Sequence, residues 1–336
     1  MGFTGVEVGG STSPALTMKP VLAFALLLTC NAQNMRPVIG CMAQPADPDL
    51  GGPDRQYLVS SYVQWLESAG AQVVPVLFNQ SQADLRLLFG QLSGLLLPGG
   101  HCGTHGTAYG NASWQLLTMA KQANDAGKFF PVWGTCQGHE QLAQFGSGAM
   151  EPSILNRTQG TEGLIVALNL THAGLSSRLL REAPSHIVTA LQHNPITVNL
   201  HSFSALASRI EHVGSATHAF FRVVGTNQDV HGKEFVSLFE ARQYPFYGSQ
   251  FHPEKNAFEW NQSWEDNNTA VGSKGGAHSA LGVATSQYFA NFFVAEARRC
   301  PHRWNWAAPP APLIYDFEPT KTSSTTMQQW EQCYVF

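Results

Sequence analysis

The sequence predicts an α/β fold in which helices cover both faces of a central, mostly parallel β-sheet. Short apolar runs that are typical of buried strands alternate with helical stretches along the chain, and this alternation favours a parallel sheet. No internal repeat or linker divides the middle of the 336 residues, which are ample for a large core. Two motifs lie where strands are predicted to end, and α/β sheets place their sites there.

Strands and helices are predicted to alternate through the first half of the chain. A helix over residues 57–69 would place Leu58, Tyr62, Trp65 and Leu66 on one face. It would end at Gly70, a residue type that commonly caps helices. The other predicted elements are a strand from Val38, a strand over 73–77, a helix over 82–91, a strand over 94–98, a helix over 112–126 and a strand that ends before Cys136.

The second half is predicted to contain shorter strands and one closing helix. Residues 160–245 include strand-like runs at 163–168 and 235–239, and the helix covers 286–299. We expect the C-terminal residues, which are rich in Pro, Ser and Thr, to be poorly ordered. The predicted organisation is a signal peptide with an atypical leader over 1–32, a catalytic domain over 33–305 and a tail over 306–336.

A cysteine follows one predicted strand on a tight turn, in the sequence Gly134-Thr-Cys136-Gln-Gly138. This G-x-C-x-G pattern has the form of a nucleophile elbow, in which a strand turns sharply into a helix. The two glycines leave no Cβ where the backbones crowd together. Because a helix N-terminus favours thiolate, we predict a lowered pKa for Cys136. The alternative is a buried structural cysteine.

A second motif, Gln250-Phe-His252-Pro-Glu254, lies further along the chain. Residues i and i+2 of an extended segment point the same way, which would place Glu254 beside the imidazole of His252. The two motifs together predict Cys136 as nucleophile, His252 as general base and acid, and Glu254 as the carboxylate that orients His252. A loop histidine beside a solvated glutamate is the alternative.

With these motifs the chain resembles the class I glutamine-amidotransferase-like hydrolases and, within them, the gamma-glutamyl hydrolase (folylpolyglutamate hydrolase) family, peptidase family C26. The resemblance implies a flavodoxin-like three-layer sandwich, no cofactor, no bound metal, and a homodimer as an assembly state of the family. It covers roughly residues 36 to 300 and rests on the stretches 36–40, 60–70, 97–100, 133–136, 250–255 and 259–260.

The resemblance also implies further site residues. The backbone N–H groups of Gly100 and Gln137 would form an oxyanion hole. Glu140 would position the amino group of the substrate, or would simply favour a helix N-terminus. His201 would line the pocket, with a structural histidine as the alternative.

The chain departs from the family's pattern at His139, where an aromatic residue is usual, and in the Gly- and His-rich stretch 101–106. These departures bear on the pocket wall and thus on substrate preference. An alternative from another class is a zinc site, because imidazole and thiolate are ligands that zinc selects. Its ligands would be drawn from His101, Cys102, His105 and His139.

Composition and motifs indicate a glycoprotein of the secretory route. Charged residues make up 12% of the chain and the net charge is −4, which leaves no basic footprint for nucleic acid. An apolar run over 21–29, between Lys19 and Ala32, has the form of a signal-peptide core and is too short to cross a membrane. We predict an extracellular, lysosomal or vacuolar protein, free of the membrane after cleavage, with glycosylation sequons at Asn79, Asn111, Asn156, Asn169, Asn261 and Asn267.

The cysteine count leaves two states open. If the signal peptide is removed and Cys136 stays free, four other cysteines remain. They allow three pairings into two disulfides, and unpaired thiols are the alternative, because a domain of this size needs no staples. These residues are Cys41, Cys102, Cys300 and Cys333.

The expected activity is hydrolysis of gamma-glutamyl bonds in folylpoly-gamma-glutamates and related gamma-glutamyl peptides, through a thioester on Cys136. Each substrate glutamate carries an α-carboxylate, so we expect cationic or amide donors in the cleft. The alternatives are a glutaminase-type amidohydrolase and a non-catalytic glycoprotein of the same fold. The sequence shows no P-loop of the kind found in the synthetases that glutaminases serve.

Overall fold

Strands and helices alternate along the first half of the chain, as the sequence predicts. The computed structural model describes residues 1–5, 33–149, 154–260, 277–322 and 330–336. Residues 33–336 form one compact unit, which contains all the elements below. The strands are β1 (Val38–Met42), β2 (Gln44–Pro45), β3 (Gln56–Val59), β4 (Gln72–Val76), β5 (Gly94–Leu97), β6 (Val132–Thr135), β7 (Leu155–Arg157), β8 (Leu164–Val166), β9 (Asn169–Leu170), β10 (Thr197–Asn199), β11 (Phe203–Ala205), β12 (Phe221–Gln228), β13 (Glu234–Ala241), β14 (Phe246–Ser249), β15 (Thr320–Lys321) and β16 (Gln332–Val335).

The helices connect and cover these strands. Short 3₁₀ turns lie at Pro48–Leu50 and Ile314–Asp316. The α-helices are α1 (Ser60–Ser68), α2 (Gln82–Phe89), α3 (Ala108–Asp125), α4 (Gln137–Ser147), α5 (His172–Leu175), α6 (Ser185–His193), α7 (Ala207–Ile210), α8 (Ala216–Phe220), α9 (Lys255–Phe258) and α10 (Ala280–Arg298).

Eight strands of the described chain form the central sheet, in the order β4, β1, β5, β6, β14, β13, β12, β9. The first five of these run parallel, and the last three continue the sheet antiparallel. The parallel register pairs Leu97 with Gly134 and Gly134 with Gly248. The predicted α/β fold with a mostly parallel sheet is confirmed, and the ends of β5, β6 and β14 lie side by side.

Each face of the sheet carries its own apolar core. Alternate residues of β1 divide between the two: Val38 and Met42 belong to the core that α2, α3 and α4 cover, and Ile39 belongs to that of α1, α6 and α10. At the centre of the second core, the buried ring of Trp133 lies 5.5 Å from that of Trp65. The three layers hold β6 and β14, and therefore the two sequence motifs, in fixed positions.

Two predictions about the chain's elements are wrong. Residues 57–59 form part of β3 rather than the start of a helix, because they pair with β16 in a four-stranded second sheet of the described residues. Helix α1 therefore begins at Ser60. The same pairing places residues 332–335 in a strand, which contradicts the poor order expected of the tail there.

All five cysteines that the structure describes have free thiols. Of the two states left open by the sequence, the structure therefore has the one with unpaired cysteines. Among the described residues, none of the helices has both the length and the apolar composition that crossing a bilayer requires. These five cysteines are Cys41, Cys102, Cys136, Cys300 and Cys333.

The predicted glycosylation sequons differ in exposure. Asn79, Asn111 and Asn169 are exposed. Nδ2 of Asn156, the atom to which a glycan would be joined, is buried. The remaining sequons, at Asn261 and Asn267, and the signal-peptide core over 21–29 lie outside the described residues.

Candidate active site

The cysteine of the G-x-C-x-G motif lies at the turn between β6 and α4. Cys136 has φ 51° and ψ −108°, and within the described chain it is the one residue other than glycine with a positive φ. A Cβ on Gly134 would overlap the carbonyl oxygen of Gly138, and a Cβ on Gly138 would overlap that of Leu97. Both positions therefore require glycine, as the motif predicts.

The environment of the thiol differs from the prediction. Cys136 is only 4% exposed. Burial raises the pKa of Cys136 well above its ordinary value. The charge that Glu140 carries once it ionises, above about pH 8, adds to this, and the hydrogen bond from the backbone N–H of Gln137 acts in the opposite direction. The predicted lowering of this pKa is wrong for the structure, because desolvation outweighs the effect of the helix N-terminus. The thiol is therefore protonated at rest and needs a base.

His252 and Glu254 lie between β14 and α9. Nδ1 of His252 is 2.7 Å from Oε1 of Glu254, and both side chains are buried. Burial lowers the pKa of His252. The negative charge of Glu254 acts to raise this pKa, and the positive charge of Lys255 acts to lower it further. The resting imidazole is therefore neutral, with Nδ1–H donating to the carboxylate. No described residue hydrogen-bonds Nε2, which leaves that nitrogen available as a proton acceptor.

Glu254 remains ionised although it is fully buried. Burial acts to raise the pKa of Glu254. His252 outweighs burial, through its charge when the imidazole is protonated and through the hydrogen bond of Nδ1–H, and Lys255 adds to this, so the pKa is lowered. Nζ of Lys255 lies 3.6 Å from Oε1 of Glu254. The carboxylate can therefore hold the imidazole in one tautomer.

Cys136 and His252 line one cavity of about 690 Å³. The point that a Cβ on Gly99 would occupy lies 2.6 Å from Cε1 of His252 and 3.0 Å from Cβ of Cys136. The absence of a side chain at this position lets the two residues approach each other. The same cavity is lined by four further residues that the sequence analysis singled out: Gly100, Gln137, Glu140 and His201.

Glu140 and His201 are both uncharged at neutral pH. Burial raises the pKa of Glu140 to about 8, against a hydrogen bond that Nε2 of Gln250 donates at 3.1 Å. Burial lowers the pKa of His201 to about 3. Nδ1 of His201 donates to the carbonyl oxygen of Phe203 at 3.0 Å, and Nε2 has no hydrogen-bond partner among the described residues. The cavity wall thus offers neutral polar groups rather than charges at these two positions.

Tyr62 links the two motifs, a role that the sequence analysis missed. Its hydroxyl accepts a hydrogen bond from the backbone N–H of Gly99 at 2.8 Å and lies 3.3 Å from Nδ1 of His252. It therefore fixes the backbone just before Gly100 relative to the histidine. The helical periodicity identified Tyr62 only as a buried residue of α1, because periodicity reports the face of a helix and not its hydrogen bonds.

A buried amide pair supports the loop that follows β5. Nε2 of Gln44 donates to Oε1 of Gln137 at 3.1 Å. Nε2 of Gln137 donates to the carbonyl oxygen of Cys102, whose thiol donates to Oε1 of Gln137 at 3.3 Å. A Cβ on Gly100 would overlap the amide of Gln44. The side chains of Gln44 and Gln137 thus tie together the two backbone segments that were predicted to form the oxyanion hole.

The residues of the zinc alternative do not come together. His139 is buried on α4, where its ring stacks on Phe239 with centroids 4.0 Å apart, and burial lowers its pKa to about 3. His101 lies at the cavity rim, 3.1 Å from Asp47. Within the part of the chain that the structure describes, no group of three or more ligating side chains is placed to hold a metal ion.

The chain has close relatives among known proteins. The model of the peptidase C26 family matches residues 37–254. The chain is 35% identical to gamma-glutamyl hydrolase of Homo sapiens over 324 residues, which cover 92% of this chain and 96% of that protein. It is 33% identical to gamma-glutamyl hydrolase B of Dictyostelium discoideum over 309 residues, or 91% and 84% of the two chains. A glutamine amidotransferase structure from Thermotoga maritima aligns with a TM-score of 0.46 at 11% identity, over 78% of this chain and 98% of that one.

Proposed function

Because this chain belongs to the peptidase C26 family, we propose that it hydrolyses gamma-glutamyl bonds, with folylpoly-gamma-glutamates and related gamma-glutamyl peptides as substrates. The relatives named above, at 33% and 35% identity over nine-tenths of the chain, bear the name of this hydrolase. The observation that carries the proposal is the buried pair of His252 and Glu254, whose histidine lines the same cavity as the thiol of Cys136.

Acylation begins with the attack of Sγ of Cys136 on the gamma-carbonyl carbon. Since the thiol is protonated at rest, Nε2 of His252 takes its proton as the C–S bond forms. Glu254 stabilises the imidazolium that results. The imidazolium then gives the proton to the departing amine as the C–N bond breaks, which leaves a gamma-glutamyl thioester on Cys136.

Deacylation uses the same groups with water as the nucleophile. His252 takes a proton from the water that attacks the thioester carbon, and the proton returns to Sγ when the C–S bond breaks. In both steps the N–H groups of Gly100 and Gln137 would stabilise the tetrahedral oxyanion. Tyr62 and Gln44 would keep these donors in place, since they hold the two segments that carry them.

Neutral donors would bind the α-carboxylates of the substrate. Glu140 carries its proton up to about pH 8, so we propose that it donates a hydrogen bond to an α-carboxylate instead of pairing with an amino group. The amide of Gln137 and the imidazole of His201 lie in the same wall. Arg157 lines an adjoining cavity that shares His201 with the first one, and it would attract further carboxylates of a longer chain.

The predicted secretory location, with an extracellular, lysosomal or vacuolar destination, is part of the proposal. The lowered pKa of His252, which burial causes, supports an acidic compartment, because the base stays neutral when the pH falls below its usual range. Asn79 and Asn111 are exposed and thus accessible to glycans. The homodimer stays a prediction from the family.

Mass-resolved hydrolysis of pteroyl-penta-gamma-glutamate tests the proposal, with free glutamine as a parallel substrate. The wild-type protein should release glutamate or gamma-linked oligoglutamate, and Cys136→Ala should release neither. The size of the products gives the position of cleavage. Activity on glutamine alone would make the protein a glutaminase. Activity on neither substrate would favour the alternative of a non-catalytic glycoprotein.

A further inference from the structure

The C-terminal strand brings an aromatic residue to the catalytic cavity. β16 pairs antiparallel with β3, and just before it the N–H of Glu331 donates to Oε2 of Glu259 at 2.8 Å. These contacts fix Trp330, which lines the cavity together with Cys136 and His252. A segment that was expected to be a disordered tail therefore forms one wall of the site.

Trp330 covers a buried cation. Nζ of Lys255 lies 3.7 Å from the centroid of the indole ring, and the side chain of Lys255 is 1% exposed. The ammonium is 3.6 Å from Oε1 of Glu254, which is longer than a hydrogen bond of good geometry. A buried ammonium needs attraction that replaces its hydration, and the face of an indole contributes part of it, beside the charges of Glu254 and Glu259. Trp330 is thus one of the groups that hold this cation in place.

The cation acts on the catalytic pair. Burial is the largest cause of the lowered pKa of His252, and Lys255 adds to it against Glu254. Lys255 also helps His252 to keep Glu254 ionised. Titratable groups that face His252 come from its own loop and from each element packed against it: Glu254, Lys255, Tyr62 of α1, Cys136 of the elbow, and Glu162 and His201 of the opposite wall.

We propose that Trp330 is a positioning residue of the catalytic centre, whose indole face holds the ammonium of Lys255 against Glu254 and closes this side of the cavity to water. The role of His252 as base, through which Trp330 acts, rests on the proposed function. Without the indole, water would reach Lys255 and screen its charge. His252 would then be both less buried and less influenced by the cation, so its pKa would rise.

The test compares Trp330→Leu, which removes the aromatic face, with Trp330→Phe, which keeps one. Alkylation of Cys136 by iodoacetamide over a series of acidic to neutral buffers, followed by mass spectrometry, reports on the Cys136–His252 pair without any substrate. Trp330→Leu should move the rise of the alkylation rate to higher pH and should lower kcat about tenfold or more with little change in KM. In Trp330→Phe, the pH at which the alkylation rate rises and the value of kcat should both lie close to those of the wild-type protein.

The matched control is Tyr334→Leu. Tyr334 lies on β16, the strand that follows Trp330, where it pairs with Leu58, and it packs against the apolar core to which α1 contributes. This variant should lower the thermal unfolding midpoint without changing the alkylation profile or kcat. The proposal is overturned if Trp330→Leu keeps the wild-type profile, or if Tyr334→Leu shifts the profile equally. If the wild-type protein cleaves no gamma-glutamyl bond, the proposed function fails, and the alkylation comparison still decides the role of Trp330.

Discussion

The two walls of the cavity that flank Cys136 and His252 are built in different ways. The elbow wall, residues 132–147, is one continuous stretch of chain, and its shape depends on glycines in direct contact with neighbouring backbone. The wall formed by Trp330 lies just before β16, and β16 pairs with β3, which lies near the other end of the chain. A short motif specifies the first wall, whereas long-range pairing specifies the second. The turn that carries the proposed nucleophile is therefore encoded locally, and its electrostatic surroundings are encoded by topology.

This comparison predicts an order of effects. Changes to groups that touch the reacting atoms, or that orient them directly, should reduce kcat the most. Changes to the Trp330 wall should reduce it less, because they act through Lys255. Each of the following variants tests that order.

The largest effect is expected for Glu254→Gln. The amide cannot stabilise the imidazolium of His252, and it permits the wrong tautomer, so kcat should fall about 10⁴-fold. Glu296→Gln is the matched control, because Glu296 is a buried carboxylate that accepts from the hydroxyl of Tyr247 at 2.6 Å outside the cavity. Steady-state kinetics on a gamma-glutamyl substrate measures both. A Glu254→Gln variant that keeps a tenth of wild-type kcat would show that His252 is oriented by other groups.

A smaller effect is expected for Gln137→Leu. The substitution keeps the backbone N–H but removes the amide that holds the carbonyl oxygen of Cys102. Displacement of the loop should lower kcat about 10²-fold. Gln141→Leu, one turn further along α4, loses a hydrogen bond to Ser113 and should keep wild-type kcat. Equal losses in the two variants would point to general loosening of α4 instead.

The smallest effect is a change in the pH dependence of stability at Glu140. Burial raises the pKa of its carboxyl from 4.5 to about 8. The stability that this bound proton contributes is complete below pH 4.5 and is lost as the pH rises through about 8. Above pH 6.5, the ordinary value for histidine, His201 is neutral whether folded or unfolded and does not contribute.

Glu140 is therefore isolated by comparing the thermal unfolding of the wild-type protein with that of Glu140→Gln between pH 6.5, the ordinary value for histidine, and pH 8, the raised value of this carboxyl. The unfolding midpoint of the wild-type protein should fall over this interval, and that of Glu140→Gln should fall less. Glu182→Gln removes an exposed carboxylate and should keep the wild-type slope. Parallel curves for Glu140→Gln and wild type would mean that the carboxyl is already ionised at pH 6.5.

The sequence was sufficient to predict those parts of the structure that depend on short-range constraints. The G-x-C-x-G motif located the turn at Cys136, and the spacing of His252 and Glu254 placed their side chains together, as the structure has them. It also predicted the parallel sheet, because buried strands and helices have different periodicities. These features need only neighbouring residues for their definition.

The sequence was not sufficient to predict contacts between distant parts of the chain, or effects that depend on burial. The strand at residues 57–59 was taken for a helix because its partner β16 has no local signal. Gln44 and Trp330 carry no motif and reach the cavity only through the fold. The pKa of Cys136 was predicted in the wrong direction, because the depth of a thiol below the surface cannot be read from the elbow motif.

The backbone at Cys136 has a consequence for how this chain can evolve. A side chain with φ 51° costs roughly 1–3 kcal/mol of folding free energy. Glycine would remove that strain together with the thiol, so the residue that best suits the turn is the one that cannot react. Selection for stability alone would drive position 136 towards glycine, and under the proposed function selection for activity opposes this change. Glycine at position 136 in a related chain would therefore indicate a lineage in which this activity is no longer under selection.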